Sequence, residues 1–224
     1  MGNQKLLAII GDIIDSRNIE YRIKVQEELN KIIKEINMSY KNYIVSKWTI
    51  TLGDEFQVLM KPNLEIFKML DYISYRMDPI KIRYGIGLGE IYTDIDYEKS
   101  IGADGPAYWN ARSAIEFIHN NNNYGNSKIL FRGKTKSDNI INHLLSYTDW
   151  MKENWTNTQK EVLYTLLESG IYSENFEQKA LAKKLNISES AMSRRVKTSG
   201  IRLYLSSKNS IAKEIEYIGG DKDR

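Results

Sequence analysis

Apolar positions in the first part of the chain follow two periods, which together predict alternating strands and helices. The aliphatic run Leu6–Ile10 predicts a buried strand, and residues 80–88 alternate apolar with polar residues as a second strand would. Between them, helical spacing predicts an amphipathic helix over 19–40 and another helix after Pro62. Two β-rich segments on either side of a Gly-Asp turn at 53–54 predict a hairpin.

Two further elements extend this pattern. A helix is expected after Pro106, and a short last strand at residues 129–131. The resulting order is β-α-β-β-α-β, followed by a helix and a strand. It is the order of a ferredoxin-like, palm-type antiparallel sheet with helices on one face. The predicted fold class is therefore α+β, with a palm-type domain over 1–133 and a linker helix over 134–152.

The remaining residues, 153–224, show helical periodicity, and three leucines at 163, 166 and 167 predict the first helix of a three-helix core. Leu181 and Leu185 mark one face of the next helix. Asn186-Ile187-Ser188 then forms a turn, and Ser188 is suited to cap a helix over 189–197. The segment 201–205 is expected to supply a wing or a further helix.

The helix over 189–197 separates apolar from polar side chains, with Met192 and Val196 predicted to face inward. Hydroxyl and guanidinium groups on its outer face suit contacts with phosphates and base edges in the major groove. The candidate DNA-binding residues are Ser190, Ser193, Arg194, Arg195 and Lys197.

The stretch 155–205 resembles the winged helix-turn-helix of bacterial regulators, which implies DNA as a partner. The alternative is a helical interaction module that never touches DNA. Both interpretations give an all-α C-terminal domain over 153–224.

Composition and charge narrow these possibilities. The 224 residues include no cysteine, which excludes a disulfide framework and thiolate metal sites. No apolar run approaches the roughly 20 residues of a membrane span, so a cytoplasmic protein is expected. Residues 151–224 carry 13 basic and 10 acidic side chains, which accounts for the whole net charge of +3. This bias is compatible with a polyanion as partner, although charge alone favours a solvated surface.

Two acidic turns are the strongest candidates for chemistry. Asp12 ends the first strand and Asp54 lies at the hairpin tip, so a palm-type sheet would place them side by side. Paired carboxylates suit Mg²⁺ or Mn²⁺, which would bind the oxygens of a nucleoside triphosphate. Gly53 would let phosphate approach the backbone, and Asp15 and Ser16 lie where a triphosphate would enter. Taken singly, each carboxylate is better explained by an ordinary turn, and it is the two together, at the two expected places of one fold, that favour a metal or nucleotide site.

Residues 5–132 resemble the catalytic domain of class III nucleotidyl cyclases. The resemblance implies that Asp12 and Asp54 carry the metals and that Arg112 occupies the place of the transition-state arginine. Tyr108 falls where that family has its catalytic asparagine, and Asn110 follows two residues later as the candidate. The Leu-Gly-Asp-Glu-Phe turn also resembles the turn of diguanylate cyclases.

Two other residues have weaker counterparts in the cyclase family. Lys128 is a candidate for the late catalytic lysine. Trp109 is a candidate for stacking on a base, or packs beneath its loop. Cyclases of this class share each site between two protomers, which implies a homodimer.

Taken whole, the chain is identified as a member of the SatD family by three strings. They are Ile-Gly-Asp-Ile-Ile-Asp-Ser, Thr-Leu-Gly-Asp-Glu-Phe-Gln and Ile-Gly-Ala-Asp-Gly-Pro-Ala-Tyr-Trp-Asn-Ala-Arg.

Three functional hypotheses follow from the sequence. The first is a DNA-binding regulator whose palm-type domain senses a nucleotide. The second is an active nucleotidyl cyclase or nucleotidyltransferase with two-metal chemistry, tethered by the C-terminal domain. The third is an adaptor in which both sites are vestigial.

Overall fold

A computed structural model describes residues 5–51, 53–121 and 127–220. The strands in these ranges are β1 (Leu6–Ile13), β2 (Ile44–Ile50), β3 (Glu55–Met60), β4 (Ile82–Gly89) and β5 (Ile129–Arg132). The helices in the same ranges are α1 (Arg22–Ser39), α2 (Ile66–Met77), α3 (Pro106–Asn121), α4 (Asp138–Glu153), α5 (Asn157–Glu168), α6 (Gln178–Lys184), α7 (Glu189–Ser199) and α8 (Ile201–Gly219). No helix in the described ranges is long and apolar enough to cross a bilayer.

The strands form one five-stranded sheet in the order β2-β3-β1-β4-β5. The first four strands pair antiparallel in the order that the sequence pattern predicts. The expectation of a purely antiparallel sheet is wrong, because β5 pairs parallel to β4. The chain passes from β4 to β5 through α3. This crossover helix carries the chain back to the end of the sheet where β4 began, so β5 runs in the same direction as β4.

Helices cover both faces of the sheet, which corrects the expectation of helices on one face. Alternate residues of β1 show this, because side chains along a strand point to opposite faces. Leu7 and Ile9 lie in a core with α1 and α2, whereas Ala8 and Ile10 lie in a core with α3.

Glycines on β4 explain why the second buried face is hard to predict. Gly85, Gly87 and Gly89 occupy the apparently polar positions of the strand, directly beneath α3. A Cβ at Gly87 would lie 2.1 Å from the carbonyl oxygen of Ala107 and 2.2 Å from the amide nitrogen of Ala111. The missing side chains therefore let the helix backbone rest on the strand.

Helices α5 to α8 build a second core, and α8 links it to the first. Tyr204 and Leu205 of α8 are buried in the second core, whereas Ile211 and Ile215 are buried beneath the sheet. The segment 201–205 begins this helix and forms no wing. Helix α4, expected as a linker, contributes Ile141 and Leu145 to the core beneath the sheet and so is packed along its length.

Candidate functional site

A groove of about 780 Å³ opens where β1 ends and β4 begins. Its acidic lining comes from the end of β1, from the turn that follows and from the hairpin tip. Arginine and lysine side chains from three separate segments line it as well. The ionisable residues along it are Asp12, Asp15, Arg17, Asp54, Arg83, His119 and Lys128. Its volume is within the usual range for a small-molecule site.

Asp12 and Arg83 form the central ion pair of the groove. The two residues face each other in the antiparallel register of β1 and β4. Arg83 Nε donates to Oδ2 of Asp12 at 2.6 Å, and Nη2 of the same guanidinium lies 2.5 Å from that oxygen. Burial raises the pKa of Asp12, and the Arg83 guanidinium opposes that rise. Arg83 is a site residue that sequence reasoning missed, although its polar position in β4 places it on the Asp12 face.

Asp54 lies beside Asp12, because the backbone N–H of Ile13 donates to the carbonyl of Asp54 at 3.1 Å. Its negative charge adds to the rise in the pKa of Asp12. The buried hydroxyl of Ser16 donates to the Asp54 carboxylate. Asp15 precedes it with a left-handed backbone, φ 54°, which turns the chain tightly at the groove.

Gly53 supports the hairpin tip through its main chain. It adopts φ +65°, a conformation that glycine takes readily. Its carbonyl accepts a hydrogen bond from Gln26 Nε2 of α1 at 2.8 Å. The predicted residues Asp12, Asp15, Ser16, Gly53 and Asp54 are therefore brought together at one end of the sheet.

Arg112 reaches the same end of the sheet through Glu55. Glu55 stands opposite Asp12 on β3, and its carboxylate accepts two hydrogen bonds from the Arg112 guanidinium, one of 2.8 Å. Glu55, Asp12 and Arg83 thus form a row across three strands, with Arg112 closing it from α3. In this arrangement Arg112 neutralises a neighbouring carboxylate.

Asn110 and Trp109 lie elsewhere. Asn110 is buried, and its amide donates to the carbonyl of Leu88 at 2.9 Å, near the far end of β4. Trp109 is half-exposed, and its indole N–H donates to Asp104 at 2.6 Å. Five residues of strand separate Leu88 from Arg83, or about 16 Å. The structure therefore does not bring these two residues to the groove of their own chain.

The groove offers a partial set of ligands for a divalent ion. Within the described ranges, no group of three or more His, Asp or Glu side chains is arranged to hold a metal. Mg²⁺ is nevertheless commonly held by one or two carboxylates together with substrate phosphates and water. Asp12 and Asp54 fit that requirement chemically, provided that Asp12 is released from Arg83.

Helix α7 carries the second candidate surface. Met192 and Val196 are buried in the second core, as the sequence pattern predicts, and the Ser188 hydroxyl caps the helix by accepting from Ala191 N at 3.2 Å. The opposite face is exposed and bears Ser190, Ser193, Arg194 and Lys197. Arg195 is held by Glu161 of α5 at 2.8 Å, so it packs against the helical core instead of facing outward.

The comparison with protein families decides the membership of this chain. The SatD family matches residues 6–215. The chain belongs to the SatD family. This membership confirms the identification made from the three sequence strings.

Individual proteins resemble this chain only distantly. No curated protein matches the chain. Among solved structures, a bacterial light-regulated adenylyl cyclase is 13% identical, covering 57% of this chain and 75% of its own, with a TM-score of 0.39. The guanylyl cyclase Cya2 is 14% identical, covering 52% and 73%, with a TM-score of 0.35.

A third solved structure is similar to the same degree. The dimeric guanylyl cyclase domain of the RhoGC fusion protein from the aquatic fungus Blastocladiella emersonii is 18% identical, covering 53% and 74%, with a TM-score of 0.37. At these TM-scores the matches add nothing to the sheet order and side-chain contacts described above.

Proposed function

We propose that this SatD-family protein is a cytoplasmic DNA-binding regulator whose palm-type part binds a nucleoside triphosphate. In this proposal residues 1–133 form the sensor, residues 134–152 the connection and residues 153–224 the DNA-reading part. The protein acts as a homodimer, because regulators that use a helix-turn-helix commonly read two half-sites.

The observation that carries the DNA-binding proposal is the outer face of α7. Its inner face is fixed in the second core, so its position is set by packing. The outer face exposes hydroxyls at Ser190 and Ser193 and cations at Arg194 and Lys197. Such groups bond to phosphates and base edges when a helix enters the major groove.

DNA binding is tested by fluorescence anisotropy with a labelled duplex of about three helical turns, in salt between about 50 and 200 mM. The double variant Arg194→Ala/Lys197→Ala should bind more weakly and reduce the salt slope by about two. The matched control is Lys31→Ala/Lys47→Ala, which removes two exposed cations from the palm-type part. Equal affinities for the two double variants, or no binding by the wild type, would refute the proposal.

The sensor proposal rests on the convergence of charges at the groove. Asp12 and Asp54 are the residues that would hold a divalent ion, whose positive charge would offset that of bound phosphates. Arg17, Arg83 and Lys128 line the same groove and supply cations for a phosphate chain. Ser16 orients Asp54 by donating a hydrogen bond from its hydroxyl to the carboxylate.

Nucleotide binding is tested by calorimetric titration of ATP and GTP with Mn²⁺ into wild type and Asp54→Asn. Metal-dependent binding by the wild type that Asp54→Asn abolishes is the expected result. A regulator further requires that bound nucleotide change the affinity for DNA, and reciprocally that DNA change the affinity for nucleotide. Nucleotide binding without such coupling would leave two independent sites.

A second candidate function, nucleotidyl cyclisation or transfer, is favoured by one observation: two carboxylates share a groove of suitable size. Against it, Asn110 is buried and bonded to the main chain. Product analysis on the titrated samples separates the two functions. Cyclic nucleotide or pyrophosphate formed by wild type and absent with Asp54→Asn would establish the enzyme.

A further inference from the structure

The pairing of Arg83 with Asp12 is unusual for a carboxylate that is to hold a metal. Two guanidinium nitrogens, Nε and Nη2, lie 2.6 and 2.5 Å from one oxygen of Asp12, and the two side chains are only 15% and 20% exposed. A guanidinium fork commonly spreads over both carboxylate oxygens. Here both nitrogens lie against a single oxygen of a carboxylate that lines the groove.

The surrounding charges explain why a cation is needed at this position. Asp12 stands in register with Glu55, and the negative charges of Asp54 and Glu55 both act on it. Glu55 is already paired with Arg112, and the Asp54 carboxylate accepts from a neutral hydroxyl. Without a metal, Arg83 is therefore the cation in direct contact with Asp12 within the described groove.

A divalent ion and the Arg83 guanidinium compete for Asp12. Mg²⁺ binds carboxylate oxygen at about 2.0–2.1 Å, which is closer than the guanidinium nitrogens lie now. Two cations on one small carboxylate would also repel each other. A metal that takes Oδ2 of Asp12 therefore requires the guanidinium to leave, and a metal on the other oxygen loosens its hold through repulsion between the two cations.

We propose that Arg83 is an exchangeable cation. It holds Asp12 when the groove contains no metal, and it transfers to a phosphate group when a divalent ion takes Asp12. This inference rests on the proposed binding of nucleoside triphosphates, and it names Arg83 as the residue that makes metal and nucleotide binding interdependent. Lys128 and Arg17 line the same groove and provide the remaining positive charge for the phosphate chain.

The exchange predicts that metal and nucleotide bind cooperatively. A metal that binds alone displaces Arg83 from Asp12 and leaves the guanidinium without an anionic partner, so the metal binds weakly. Nucleotide gives the displaced guanidinium a new anionic partner, so each ligand strengthens the other by the same factor. A groove held by fixed, independent charges would show no such coupling.

The first test measures Mn²⁺ alone, by the electron paramagnetic resonance of the free ion, with wild type and Arg83→Gln. The variant should bind Mn²⁺ roughly five- to tenfold more tightly, at the low end of typical coupling between sites. The same variant should bind ATP with saturating Mn²⁺ more weakly by a similar factor. These opposite changes are not expected from a purely structural role, which would weaken both.

Two further variants serve as controls. Lys47→Gln removes an exposed cation paired with Glu98 on β2, and it should leave both affinities unchanged. Arg83→Lys keeps the charge without the fork, so its Mn²⁺ affinity should lie between those of wild type and Arg83→Gln. Thermal melts of all variants verify folding. If Arg83→Gln does not fold, nuclear magnetic resonance of the wild type replaces it. The Nε–H resonance of Arg83 is assigned by its absence from Arg83→Lys, and its shift on adding Mg²⁺ reports the exchange.

The outcomes separate this inference from the function on which it rests. A folded Arg83→Gln that binds Mn²⁺ no more tightly than wild type overturns the exchange, and so does an Nε–H resonance that Mg²⁺ leaves unmoved. Wild type that binds Mn²⁺ but no nucleotide overturns the proposed function. Tighter Mn²⁺ binding by Arg83→Gln would in that case still support competition at Asp12, with the phosphate half of the exchange refuted.

Discussion

The open groove and the junction of α2, α4 and α8 contain the same chemistry in opposite surroundings. At the junction, Asp71 accepts hydrogen bonds from Lys152 at 2.7 Å, Tyr172 at 2.6 Å and Tyr204 at 2.7 Å. All of its partners are protein groups, and the carboxylate is almost fully buried. In the groove, Asp12 has one cationic partner and lies beside open space.

A second carboxylate at the junction, that of Asp149, is also buried and held by protein groups. Asp149 accepts from the backbone N–H groups of Lys128 and Ile129 at 2.7 and 2.9 Å, and it lies 3.7 Å from the ammonium of Lys208. Lys208 is fully buried, and within the described ranges its Nζ has no hydrogen-bond partner. Burial raises the pKa of Asp149 and lowers that of Lys208, each against the opposing charge of the other.

The difference shows what a charge pair does in each place. A buried pair cannot be separated without leaving a charge out of water, so the junction fixes α8 against α2 and α4. A pair at an open groove can exchange partners, because water and ligands reach it. Burial therefore assigns the junction to stability and leaves the groove available for function.

The largest expected effect comes from removing the buried carboxylate. Asp71→Ala leaves Lys152 and two tyrosine hydroxyls without their shared acceptor, and it should lower the free energy of unfolding by about 3–5 kcal/mol. Asp12→Ala should cost less than Asp71→Ala, because Arg83 borders the open groove and can be partly solvated there. Urea denaturation measures both. Equal losses of unfolding free energy in the two variants would show that the groove carboxylate stabilises the fold as much as the buried one does.

A smaller effect is expected from removing one donor at the junction. Tyr172→Phe deletes a hydrogen bond to a buried charge and should cost about 1.5–3 kcal/mol. The control is Tyr75→Phe, whose hydroxyl bonds to Glu168 at an exposed position and should matter less. If Tyr172→Phe is neutral in the same denaturation assay, Asp71 does not depend on that hydroxyl.

Stability at acid pH should distinguish Asp71 from the rest of the protein. Burial would raise its pKa, but Lys152 and Lys208 outweigh burial and lower the pKa below its ordinary value of 3.8. A lowered pKa contributes stability that is present above the unfolded value and lost as pH falls through the folded value. The gap in unfolding free energy between wild type and Asp71→Asn should therefore narrow below about pH 4. A gap independent of pH would show that folding leaves the pKa of Asp71 unshifted, and a gap that widens below about pH 4 would show that folding raises it.

The smallest expected effect is at the pair of Arg112 with Glu55, the residue opposite Asp12 on β3. Arg112→Gln breaks a pair whose arginine is 43% exposed, so the loss should stay within about 1 kcal/mol. The loss of unfolding free energy caused by Arg112→Gln should also shrink in about 1 M salt, where the Debye length falls to about 3 Å. A loss as large as that of Asp71→Ala would place Arg112 among the structural residues.

The spacing of apolar residues predicted most of the helices and strands. A helix or strand that is buried on one side repeats apolar residues with the period of that element. The strand at β1 and the capped helix α7 follow from residues close together in sequence, and the order of the elements along the chain predicted the order of four strands. The adjacency of Asp12 and Asp54 also follows, since the strand order brings the end of β1 beside the tip of the hairpin. The family strings identified the SatD membership.

Tertiary structure decided what those elements face. Periodicity shows which side of a strand is apolar, but a row of glycines on β4 concealed a second buried face that only α3 reveals. Arg83 meets Asp12 across 71 positions, and Tyr204 meets Asp71 across 133. Such partners are chosen by packing between distant segments, and no local pattern records them. The sequence by itself thus determined the elements and the carboxylates of the groove, whereas the structure determined which cations hold them and which charges are buried.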